Sequence, residues 1–138
     1  MRSEEKIILG EDHLRSLTST LLIVEQLLIE IEDHMTRLNK ACCLEIENDI
    51  KSDVINQNLK VIEEARKQIC TLAKKYGIVK RVQSLQRVVD VKKSKIWEIL
   101  CDARSRKQKG YGKFPKGLVA EFDEDIEELM AITERIKY

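Results

Sequence analysis

An unbroken aliphatic rhythm in the first third constrains this chain more than any other feature. Leu14, Leu17, Leu21, Val24, Leu28, Ile31, Met35 and Leu38 recur at alternating steps of three and four residues. In a helix that spacing lines these side chains along one face as a heptad seam. A strand, with its period of two, would scatter them over both faces. Leu22, Ile23, Leu27 and Ile29 fall outside the strict seam. They widen the apolar stripe beyond what a two-stranded coiled coil needs, so this helix is expected to face at least two partners. Asp12, shortly after Gly10, is the expected N-cap.

Three further helical patterns follow. Ile55, Leu59, Ile62, Ile69, Leu72 and Tyr76 form the second, with Ser52 or Asp53 as candidate caps. Lys74 and Lys75 complement its carbonyl end, and Gly77 can take the left-handed position just past it. Nothing from Asn39 to Asp53 is Gly or Pro, so the turn between these two helices is poorly marked. It is placed at Asn48–Asp49; the competing placement, near Asn39–Ala41, sends the second helix through Ile46, Ile50 and Val54. Val82, Leu85, Val89, Ile96, Leu100 and Ala103 form the third pattern, and its period remains helical despite the valines. Residues 109–117 hold three of the five glycines and the only proline, which marks a loop. The fourth pattern is Leu118, Phe122, Ile126, Leu129, Thr133 and Ile136, with an acidic first half suited to the positive end of the helix dipole.

The expected fold is therefore all-α: an antiparallel up-down four-helix bundle with helices at roughly 12–47, 53–76, 79–108 and 118–137. A single domain, 1–138, with an N-terminal arm at 1–10, suits a chain of this length. Twenty-five basic and 24 acidic residues nearly cancel, so no global charge draws the chain to nucleic acid or an anionic surface, and electrostatic function must be local. No apolar run approaches a membrane span, and residues 1–10 do not read as a signal peptide. A cytoplasmic protein with four reduced cysteines is expected.

No catalytic constellation stands out. Glu30 and Asp33, and the acids Glu121, Glu124, Asp125, Glu127 and Glu128, are spaced as metal-binding bundle carboxylates can be. The inward positions beside them belong to Ile31, Met35, Phe122, Ile126 and Leu129, and neither histidine has a Glu three residues before it. A metal-dependent bundle enzyme is thus the least favoured alternative; no metal and no cofactor are expected. His34 is followed by Arg37 and the bulky Leu38, a poor setting for phosphotransfer. Cys42 and Cys43 diverge in a helix, no Cys-x-x-Cys occurs, and Cys70 and Cys101 sit beside core positions, so buried thiols are expected rather than zinc ligands.

Two surfaces remain. The apolar excess, Leu22, Ile23, Leu27 and Ile29 with Trp97, either completes a wide core or anchors a protein partner or a second copy. The basic segment carries Arg104, Arg106, Lys107, Lys109, Lys113 and Lys116, with Tyr111 and Phe114 interleaved. Its cations can meet phosphates while its rings stack on bases. They can equally be neutralised by the acidic fourth helix, with Phe114 tucked against that helix's start. The leading expectation is a non-enzymatic protein–protein interaction module, an adaptor, regulator or export-type chaperone, with a homodimer as one form it can take. Nucleic-acid or phosphate binding at 104–116 is the alternative.

Overall fold

The computed structural model of the chain describes residues 8–37 and 41–137. Most of the expected arm, Leu38 of the seam, and Asn39 and Lys40 of the competing turn lie outside the described residues. The described residues are all-α, with four α-helices and no β-strand: α1 (Glu11–Thr36), α2 (Ser52–Lys75), α3 (Leu85–Asp102) and α4 (Val119–Thr133). Helix α1 packs on α2 and α3 on α4, the sequence-adjacent pairings expected of a four-helix bundle. The chain divides into two compact units, 1–80 and 81–138, each built on one of these pairs. No described helix is long and apolar enough to cross a membrane.

In the first unit the α1 seam meets α2, where Ile62 and Ile69 are the buried apolar residues. They stand seven apart, two turns on one face, as the periodicity requires. Helix α2 ends in a Schellman motif. Gly77 adopts φ +69°, its N–H donates to the Lys74 carbonyl, and the Ile78 N–H donates to the Ala73 carbonyl. A residue with a Cβ is strained in that conformation, which is why glycine stands there.

The expected junction between α1 and α2 is corrected. Helix α1 stops at Thr36 rather than near 47, and residues 41–51 are not helical, so α1 does not reach a turn at Asn48–Asp49 and no helix runs through Ile46 and Ile50. The Ala41 N–H donates to the Leu44 carbonyl, and the Ile50 N–H donates to the Asn48 side-chain carbonyl. Such local bonds compete with the helical ladder. Ile46 is half-buried, but Leu44 and Ile50 are exposed, so little apolar burial favours a longer helix here. The expected caps are also corrected: Gly10 and Lys51 occupy the N-cap positions of α1 and α2, and neither helix has a side-chain cap bond.

In the second unit α3 is shorter at both ends than the expected 79–108. Val79, Val82 and Leu85 are 85%, 86% and 75% exposed. With nothing to bury them, the β-branched residues lack the tertiary support that extends a helix. The other end is set by a tertiary bond. The Ser105 N–H donates to the Asp123 carboxylate at 2.8 Å, not to the helical carbonyl four residues back. The freed Ala103 carbonyl accepts from the Gln108 side-chain amide at 2.9 Å. Three single 3-10 turns follow, Ser105–Lys107, Lys109–Tyr111 and Lys116–Leu118, before α4. Lys93 of α3 closes the far end of α4, its Nζ donating to the carbonyls of Glu134 and Ile136. Met130 is the buried apolar residue of this unit.

Candidate functional site

Two surfaces carry the residues singled out from the sequence, one in each unit. On α1 the covered face and the exposed apolar residues are distinct rows. Leu14, Leu17, Leu21, Leu28 and Met35 are half-buried. At about 100° per residue, Ile23, Val24, Leu27 and Ile31 fall on one flank of that face, within an arc of about 100°. They are 56%, 41%, 52% and 44% exposed. On α2, Val54 and Val61 are two turns apart and likewise exposed, to one side of the covered Ile62–Ile69 row.

The opposite character appears in a charged groove of the same pair, an open hollow of ≈ 620 Å³. Glu25 and Glu32 of α1 meet Lys60, Lys67 and Lys74 of α2 there, with Leu59 among the lining residues. Arg66 donates to Glu32 across it at 3.2 Å. None of Ile23, Val24, Leu27, Ile31, Val54 or Val61 lines this groove.

Of the residues singled out from the sequence, Ile23 and Leu27 lie on this flank and are exposed; Leu22 is exposed too, but lies on the other side of the covered row. Ile29 is half-buried. Val24 and Ile31 were assigned to the seam, yet they stand at its exposed edge. Their position in a strict 3-4 pattern gave no signal of which edge α2 would leave open. Trp97 is half exposed but belongs to α3 in the second unit, where it and Ile99 lie on either side of the covered row.

The basic segment of the second unit is anchored to α4 at two successive residues. The Asp123 carboxylate accepts the Ser105 N–H at 2.8 Å and the Ser105 hydroxyl at 2.7 Å. The Phe114 ring meets the Phe122 ring with centroids 4.8 Å apart, as expected for a residue tucked at the helix start. The Ser105 N–H, then its hydroxyl, hold the Asp123 carboxyl below the usual aspartate range; Arg104 and Arg106 add to this, and partial burial opposes it.

Between these anchors lies an open hollow of ≈ 650 Å³, lined by Ser105, Arg106, Lys109, Gly112, Lys113, Phe114 and Val119. Gly112, at φ +103°, makes a bend there that a side chain would strain. Within 104–116 the expected neutralisation by α4 is met by one cation, and Lys93 of α3 lies 4.0 Å from Glu134 at the helix end. Arg104 lies 4.0 Å from Glu127 and 3.9 Å from the Met130 sulfur, and its Nε is buried without a partner. Arg106, Lys107, Lys109, Lys113 and Lys116 are exposed and form no ion pair among the described residues. Tyr111 is 90% exposed. Phe114 packs on Phe122 and also lines the hollow.

The cysteines are not buried thiols. Cys42, Cys43 and Cys70 are exposed, Cys101 is half-buried, and all four are free. Cys42 and Cys43 are outside any helix, and Cys70 projects beside the covered Ile69 rather than with it. Among the described residues no three His, Cys, Asp or Glu side chains gather as a cation site would require. Comparison with family models, curated proteins and solved structures gives no match.

Proposed function

We propose that the chain is a non-enzymatic protein–protein interaction module whose working surface is the apolar flank of the α1–α2 pair. The observation that carries this reading is the exposure of Ile23, Val24, Leu27 and Ile31 in one row, beside a covered row only one helix face away. Contiguous exposed aliphatic side chains are costly in water, at about 25 cal/mol per Å² of apolar surface, and such patches mark interaction sites. The partner chemistry is another amphipathic helix, which inserts aliphatic side chains at three- and four-residue spacing. A second copy of the chain supplies that chemistry, since α1 carries such a row itself. Adaptor, regulator and chaperone roles all use a surface of this kind.

Sedimentation equilibrium at rising protein concentration tests the reading. The expected result is a mass that climbs toward the dimer, and a double variant, Ile23→Glu with Leu27→Glu, that stays monomeric while keeping its helical circular dichroism. A wild-type protein that remains monomeric at every concentration sinks the self-association reading.

A further inference from the structure

The second unit carries a separate site. Arg106, Lys109 and Lys113 surround one hollow whose lining also includes Phe114, Val119 and Gly112. From Arg104 to Ala120 the chain contains no acidic residue. The acidic helix α4 takes up Arg104 and uses Asp123 to hold Ser105, while Arg106, Lys107, Lys109, Lys113 and Lys116 form no ion pair among the described residues. The remaining cations therefore keep their charge for a ligand. They are also preorganised. The Asp123–Ser105 bonds fix one end of the segment, the Phe114–Phe122 contact fixes the other, and the 3-10 turns hold the backbone between. A segment whose backbone is already held loses less conformational entropy on binding than a mobile tail would. Tyr111 stands between the glycines, almost wholly exposed, with no ring or hydrogen-bond partner for its side chain among the described residues.

A phosphodiester strand matches both features. It offers phosphates at a regular spacing for the cations and an unpaired base for the ring. An acidic peptide would satisfy the cations alone. We propose that this face binds single-stranded nucleic acid, with Arg106, Lys109 and Lys113 on successive backbone phosphates and Tyr111 stacked on one base. The site lies on a different helix pair from the apolar flank, so it stands whether or not the chain self-associates.

Fluorescence anisotropy of a labelled oligouridylate, with the full chain at low salt, tests this. Three phosphate contacts predict an affinity that falls with salt at a log–log slope of about −2. Tyr111→Ala weakens binding about tenfold, and Tyr111→Phe, which keeps the ring face, restores it. Arg106→Glu with Lys109→Glu and Lys113→Glu abolishes the signal. The equal charge change in the first unit, Lys60→Glu with Lys67→Glu and Lys74→Glu, leaves it intact. Circular dichroism checks that each variant folds; if the 106/109/113 variant does not, the Tyr111 pair decides. No anisotropy change at the lowest salt overturns the proposal. So do equal losses in both triple variants, equally tight binding of polyglutamate or of a single mononucleotide, or a Tyr111→Ala protein that binds as the wild type does.

Discussion

The two helix pairs are held together by different physics. In the α1–α2 pair the contact is a row of aliphatic side chains around Ile62 and Ile69, with one partly exposed ion pair at its edge. In the α3–α4 pair the buried apolar residue is Met130, and much of the fastening is polar: Asp123 on Ser105, and Lys93 on the carbonyls that end α4. Hydrophobic contact is non-directional and tolerates many partners, so the first pair leaves an apolar flank open to another helix. Hydrogen bonds are directional and saturable. They therefore dictate where α3 ends and which way the basic segment leaves it.

Truncating the apolar row is the sharpest way to break this comparison. Ile62→Ala is expected to cost about 2–4 kcal/mol, because the methylenes it loses are buried and the cavity collapses only in part. Urea unfolding measures the loss, and hydrogen exchange should show it in residues 11–36 and 52–75. A cost below about 1 kcal/mol would mean the row is not the main fastening. Gly77→Ala comes next, at roughly 1–2 kcal/mol, since alanine must enter the left-handed region that Gly77 occupies. Its effect is read as a drop in melting temperature and faster exchange in the last turn of α2.

Asp123 provides the polar counterpart. Folding lowers the pKa of this carboxyl, so its contribution to stability is complete above the unfolded-state pKa. It is lost as pH falls through the lowered folded value. Amide exchange at Ser105, corrected for its intrinsic pH dependence, should stay protected at neutral pH and lose protection in strong acid. Asp123→Asn should already show reduced protection at neutral pH, because the carboxamide offers a single, uncharged acceptor to two donors. An unchanged Ser105 exchange rate in that variant would show that the clamp does not define the end of α3. The smallest expected effect belongs to Glu32 and Arg66. Both side chains are more than a third exposed, so a double-mutant cycle should give less than about 1 kcal/mol, vanishing at high salt.

The features legible in the sequence are those that need only local geometry. Residues spaced by threes and fours mark α1, and Gly77 marks a helix end that only a residue without a Cβ takes without strain. The glycines and proline of 109–117 mark a loop. The apolar flank is half legible: Ile23 and Leu27 stand out as surplus, whereas Val24 and Ile31 are hidden inside the seam. Periodicity identifies a face but not how wide a partner covers it. The basic segment was visible as composition, but the division of its charges between α4 and solvent was not.

The chain's own order of residues thus determined its helical class, the α2 terminus at Gly77 and the loop at 109–117. These follow from backbone sterics and side-chain spacing within a few residues. Only the tertiary structure decided that α3 stops at Asp102, that one cation of 104–116 is spent on α4 while five face solvent, and that Phe114 packs on Phe122 while Tyr111 is free. Each of those outcomes depends on a residue far along the chain, Asp123 or Phe122 or Glu127, arriving within bonding distance. A bond formed by that approach outweighs the local preference for one more turn of helix.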